Sequence, residues 1–219
     1  AEAAALLAER MREPLRLVHV FDLPGAEAVL GQRSPGASTR IRAYVEAEHK
    51  EIEERLRAEA RRIAKPGVTI ETAVLFGLSD QAIVAEAERL AAKLVVVGAI
   101  GRRSGPLWNL GSTADRIAQA ARCPVLVVRQ HERILAWGRG ERPLCVVVGV
   151  DTKPATEVAV RWLESLRQAG PCRVIGVHVY WPPEVRERLK LGASIPIGMG
   201  HPDVEAALSR EIRAHLSQL

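Results

Sequence analysis

The sequence predicts an α/β protein built on a parallel sheet, and three observations predict it. Short β-branched apolar runs alternate with charged amphipathic stretches along the whole chain. Hydrophobic residues make up 47% of the chain but aromatics only 4%, a composition that suits helices packed on strands better than an aromatic-rich sandwich. A glycine-marked loop follows one of the apolar runs, at the place where an open parallel sheet binds its ligands.

Taken in order, residues 2–12 have helical periodicity and lead into a strand, "LRLVHVFDLP" at 15–24, closed by proline. Residues 25–38 hold Gly25, Gly31, Pro35 and Gly36 and read as an irregular connection. A long charged helix from Thr39 to about Ala64 follows, stopped by Pro66 and Gly67. "VTIETAVL" at 68–75 alternates as a strand should, and Ser79 or Asp80 is placed to cap a helix running to about Ala92. "KLVVVG" is expected as a fully buried strand, Ser112–Ala121 as a short helix and "CPVLVVR" at 123–129 as another strand. Strands alternating with helices in this way imply right-handed parallel crossovers.

Residues 131–143, with two glycines and mixed charge, read as a linker between a first domain at 1–130 and a second at 144–219. The second begins with a buried strand, "LCVVVGVD" at 144–151, then a helix at 155–168, a strand at 172–183 ended by prolines, and a final helix from about Asp203. An internal repeat supports the division. His19-Val20 matches His178-Val179 at an offset of 159 residues, and Glu51-Ile52 matches Glu211-Ile212 at 160. On this alignment the first copy lacks a counterpart of the strand at 144–151, and the second copy stops short of the last three strands of the first. Sequence beyond both ends of the 219 residues, a strand from another chain, or completion of the first copy by Asp151 would each account for this, and the first is favoured.

Charge and cysteine content narrow the function classes. The formal charge is +5, but the arginines are interleaved with glutamates, as in "EHKEIEERLRAEARR", so they form a solvated helix face and not a nucleic-acid surface. Cys123, Cys145 and Cys172 form no CxxC pair and read as small buried thiols of a reducing compartment. With no signal-like start and no run of membrane-spanning length, a cytoplasmic location is expected, with no membrane partner.

The motif with chemical content is "VVVGAIGRRSGPLWNLGST". Gly98 and Gly101 follow a strand, and Gly111-Ser112-Thr113 open the next helix. Glycine lets main-chain N–H groups approach phosphate oxygens, and a helix start adds unpaired donors and a favourable dipole. A purely structural turn, with Ser112 as an ordinary cap, is the competing reading. A Walker loop needs Gly-Lys-Ser/Thr and a dinucleotide fingerprint needs Gly-x-Gly-x-x-Gly, and neither is present.

The spacing Gly98-x2-Gly101-x9-Gly111-Ser112, followed by "CPVLVVR", resembles the ATP-binding branch of the universal stress protein family. "VVVGVDTKPATEVAVRWL" at 146–163 resembles the opening strand, acidic residue and first helix of the same family, so the resemblance extends over the chain as two incomplete copies. It implies a doubly wound five-stranded parallel sheet, Rossmann-like and of the adenine nucleotide alpha hydrolase type, in tandem. It also implies ATP, AMP or ADP as regulatory ligand, with accompanying magnesium left open. Val97, Gly98, Gly101, Gly111, Ser112 and Thr113 would hold ribose and phosphates, and Val20 would meet adenine through its main chain. Asp151 and Val179 are the matching adenine-side positions of the second copy. A homodimer or intramolecular pseudo-dimer through "PVLVVR" is implied as well. A nucleotide-free interaction module of the same fold is the alternative.

No Lys, His or carboxylate is placed for catalysis, so at most slow ATP hydrolysis is expected. His19 and His178 read as core or strand-end residues with no metal role. Asp151 is equally suited to capping the next helix and to touching a nucleotide. Arg102 and Arg103 are either phosphate partners or ordinary loop arginines. Trp108 is expected to pack its loop and Trp162 to be core, while residues 191–202 could form a lid or a partner surface.

Overall fold

The computed structural model describes residues 1–21, 39–99, 111–151, 153–180, 185, 187 and 202–217. They divide into two compact units, Ala1–Arg139 and Gly140–Leu219. Each is taken by itself.

In the first unit, helix α1 (Glu2–Met11) buries Ala3, Ala5, Leu6, Leu7 and Ala8 and ends where Arg12 turns into the left-handed region, φ 55°. Strand β1 (Leu15–Phe21) pairs in parallel with β2 (Ile70–Phe76), in register from Leu15 opposite Ile70 to Phe21 opposite Phe76. Helix α2 (Thr39–Arg62) connects them and carries its charge as predicted, with i,i+4 pairs Glu51–Arg55 and Glu53–Arg57 along its exposed side. Its His49 stacks on Phe76, which in turn meets Phe21 edge to face. The opposite face of the pair belongs to α3 (Ser79–Arg89), where Arg16 lies 2.6 Å from Glu71 and 2.6 Å from Glu86. Helices on both faces of parallel strands make the unit doubly wound.

Two local expectations are corrected here. The cap of α3 is Leu78, with no side-chain hydrogen bond, so Ser79 and Asp80 lie inside the first turn instead of capping it. Gly77 makes the turn before it at φ 106°, which a side chain would strain. Asp80 instead pairs with Arg116 at 2.9 Å. The strand β3 (Val95–Gly98) pairs in parallel with β4 (Val125–Val128), but only Val95 of it is fully buried, so it is not the fully enclosed strand its composition suggested. Helix α4 (Ser112–Ala120) runs between them and buries Ala114 and Ile117.

The segment read as a linker contains a helix, α5 (Glu132–Gly138), which buries Ala136, Trp137 and Gly138 and packs on α1. A Cβ at Gly138 would run into the Leu6 side chain, and the Arg10 guanidinium donates to the Gly138 carbonyl. Seven residues are too few to show a helical period against flanking glycines and charges.

The second unit pairs β5 (Leu144–Gly149) in parallel with β6 (Cys172–Val177) through α6 (Pro154–Ala169), and ends in α7 (Pro202–Leu216). Among the described residues the strands of the molecule are thus joined two by two, β1 with β2, β3 with β4 and β5 with β6. Among the described residues one face of the β5–β6 pair is uncovered: Val147 is 64% exposed and Ile175 and Val177 about two-fifths. This corrects the buried-strand expectation for 144–151, because hydrophobic alternation shows a capacity for burial and not the presence of a covering layer. The thiols follow suit. Cys145 is exposed and Cys123 and Cys172 are half-buried, with burial pushing the latter two up from the usual thiol range and so away from reactivity. Trp162, expected in the core, is half-buried.

Candidate functional site

The carboxyl end of β3 is where the predicted residues begin to converge. Ala99, 1% exposed, donates its N–H to Val128 O at 2.9 Å and accepts from Gly111 N–H at 2.9 Å. That second bond brings the far end of the glycine loop back onto the strand that launched it. Helix α4 starts at once, with Gly111 as its N-cap at φ −61° and ψ 139° and no side-chain cap. The helical ladder opens with Asp115 N–H to Gly111 O at 3.0 Å. The N–H groups of Ser112, Thr113 and Ala114 precede it and have no intrahelical acceptor. Ser112 is exposed and Thr113 half-buried, so two hydroxyls stand at a helix start with its positive dipole end. Such an arrangement fits an anion held by main-chain donors.

Gly98, Gly111, Ser112 and Thr113 are therefore brought together, with Val97 one residue back on the strand. Gly101, Arg102, Arg103 and Trp108 lie outside the described residues, as do residues 191–201 of the 191–202 segment. Val20 sits at the carboxyl end of β1. Leu15 N–H reaches the O of Thr69, just before β2, so odd residues of β1 point their main chain at β2 and Val20 points its own the other way. Its N–H and C=O are thus turned to the edge of β1 away from β2.

Asp151 and Val179 belong to the second unit. Asp151 Oδ1 accepts from Lys153 N–H at 2.9 Å and from the buried Thr156 hydroxyl at 2.8 Å, while Asp151 N–H reaches Thr156 Oγ1 at 2.9 Å. This closed turn leads into α6, whose cap is Lys153 with no side-chain hydrogen bond, so Asp151 braces the approach to the helix and is not the cap it was weighed as. The Lys153 amide and then the Thr156 hydroxyl hold its carboxyl below the usual range. Its contribution to stability is present above about pH 4 and is lost as pH falls through the lowered value. Asp151→Asn should accordingly flatten the acid limb of the stability curve while leaving neutral-pH folding intact, as acid titration of the circular dichroism signal will read. Val179 is 87% exposed, with its side chain in solvent. His178 Nδ1 lies 2.7 Å from Val150 O, which fits the strand-end reading, whereas His19 is exposed and not core.

The sequence reading missed a cleft of about 450 Å3 in the second unit, between the end of β6 and α7. His178, Tyr180, Glu205, Ser209 and Arg213 line it, and Tyr180 OH donates to Glu205 at 3.4 Å. The i,i+2 spacing of His178 and Tyr180 marked them as one face of a strand, but their partners come from α7, whose approach no local pattern reveals. Among the described residues, no group of three or more His, Cys, Asp or Glu side chains is placed to hold a metal, and no helix is long and apolar enough to cross a membrane.

Parallel strands, helices on both faces and a glycine loop closing onto a helix start define a Rossmann-like α/β protein. Within that class, the universal stress protein family model matches residues 1–129, and the chain belongs to that family. It is 36% identical over 84 residues to universal stress protein MJ0531 of Methanocaldococcus jannaschii, covering 38% of this chain and 49% of that one. The chain thus spans about half the length of this archaeal relative. It is 31% identical over 136 residues to universal stress protein YxiE of Bacillus subtilis, covering 58% of this chain and 87% of the relative. Among solved structures it is similar to universal stress protein UspA from Lactobacillus plantarum, at 23% identity and a TM-score of 0.46, covering 57% of this chain and 84% of that one.

Proposed function

We propose that this universal stress protein binds ATP or a related adenine nucleotide as a regulatory ligand, with phosphates at the start of α4 and adenine toward Val20. The observation that carries the reading is the Gly111 N–H to Ala99 O bond, which closes the glycine loop and presents uncapped helix amides beside the end of β3. Binding by main-chain donors needs no catalytic side chain, so the nucleotide acts as a signal, with bound and free states differing in self-association or partner choice. A stress-response role follows from that reading and from the family. Magnesium would enter with the phosphates and not through a cluster of protein ligands.

Calorimetric titration of the chain with ATP, ADP and AMP tests this, alongside mass spectrometry of whatever the purified protein releases on denaturation. Saturable binding to one adenine nucleotide is expected. The competing reading, a nucleotide-free interaction module, is favoured by the uncovered apolar face of β5–β6. Absence of binding to all three nucleotides would establish it instead.

A further inference from the structure

We propose that Asp80 is a positioning residue of the nucleotide site: through Arg116 it holds the start of α4, which presents the phosphate donors, in place against the strand pair that carries Val20. This role rests on the proposed binding of a nucleotide between α4 and Val20. Helix α3 packs on β1, on β2 and on α4. Its place over the strands is fixed by Glu86, whose carboxylate lies 2.6 Å from Arg16 Nε on β1 and 2.7 Å from Arg89 Nε. Gly77, at φ 106°, turns the chain from β2 into α3, so Asp80 stands at the carboxyl end of the β1–β2 pair, the end at which Val20 lies. Arg116 lies one turn beyond Ser112 on α4, and helical side chains lean toward the N-terminus. Its Nε is 2.9 Å from Asp80 Oδ2, so the pair ties the donor end of α4 to the start of α3.

Apolar packing between the two helices is loose. Among the described residues no side chain of α3 is fully buried. The far ends of α3 and α4 are parted by a cleft of about 350 Å3, lined by Val84, Ala87, Ala91, Ala92, Ala121 and Cys123. Alanine side chains make only shallow ridges, which leave a neighbouring helix free to slide along its axis. The ion pair at the cleft, Glu88–Arg122, is longer at 3.3 Å and wetter, since the Glu88 side chain is 46% exposed against 17% for Asp80. The pair at the phosphate end is thus the better shielded of the two, and it sets where the α4 donors stand.

Position and charge act here with opposite signs. Asp80 repels a polyanion, and its removal would free the Arg116 cation near the start of α4. Charge alone therefore predicts that Asp80→Asn tightens nucleotide binding. Loss of position predicts the reverse, because hydrogen bonds weaken steeply once donor and acceptor fall out of line. A helix-start effect of Asp80 has its own signature: arginine at that place would oppose the helix dipole and bind worse than asparagine.

The test titrates the full 219-residue chain with ATP, ADP and AMP by calorimetry and records the amide spectrum of the 15N-labelled, ligand-free chain. Asp80→Asn should bind the preferred nucleotide about fivefold more weakly, the scale of one shielded surface pair. The Ser112, Thr113 and Ala114 amide resonances should shift before any ligand is added. Arg116→Gln should do both. The exchanged pair, Asp80→Arg with Arg116→Asp, re-forms the bond with its charges reversed and should recover affinity to within about twofold of the parent. Should Asp80→Asn not fold, Arg116→Gln and the exchanged pair decide by the same comparison. A parent chain that binds none of the three nucleotides would sink the nucleotide reading and the positioning role with it. A parent that binds, with Asp80→Asn equal or tighter or with an exchanged pair no better than the single variants, would overturn the positioning role alone.

Discussion

Gly111→Val should lower affinity for adenine nucleotide by 10-fold or more while leaving the melting temperature within about 2 °C of the parent. The two halves of this result have separate causes. Gly111 has φ −61° and ψ 139°, a conformation open to any residue, so valine brings no left-handed strain. Nor is the amide that bonds Ala99 lost, since valine retains its N–H. What changes is the approach: a branched side chain stands at the helix start, where phosphate oxygens must come within hydrogen-bond distance of main-chain donors. Loss of two such charge-assisted bonds is worth roughly 3 kcal/mol, more than enough for the expected fall. Titration calorimetry on parent and variant, with thermal melts of both, reads the two quantities side by side. Unchanged affinity in a folded variant would remove the start of α4 from the phosphate site.

Trp137→Ala should cost the first unit about 3 to 5 kcal/mol, the usual penalty for deleting a buried large aromatic. Trp137 is 2% exposed, in a helix of seven residues that could not persist alone in water. Its burial beside Ala136, against α1, is what holds α5 to the unit. The loss should lower the thermal midpoint by about 10 °C and raise hydrogen exchange in α1, which donates Leu6 and Arg10 to the same contact. Urea unfolding monitored at 222 nm checks the first expectation and amide exchange the second. A change below about 1 kcal/mol would mean that α5 is a passive connector, as its composition had suggested.

Much of the architecture was legible because it is local. Amphipathic period, β-branched runs and proline or glycine stops set the helices and strands to within a few residues, as in the predicted Thr39–Ala64 helix found as Thr39–Arg62. The glycine spacing likewise put Gly98 at the end of a strand and Gly111 at the start of a helix, where the structure has them. The short α5 escaped because its stability is tertiary. Ser79 and Asp80 were expected as caps from residue type, but which residue takes the cap depends on where Gly77 bends the chain.

The amino-acid sequence by itself determined the α/β alternation and the position of the glycine loop, both of which follow from periodicity and backbone freedom along the chain. Only the tertiary structure decided that Ala99 and Gly111 meet and that Asp151 is engaged with Thr156. Those are pairings between residues apart in the chain, and hydrogen-bond partners exist only once separate segments have been brought side by side.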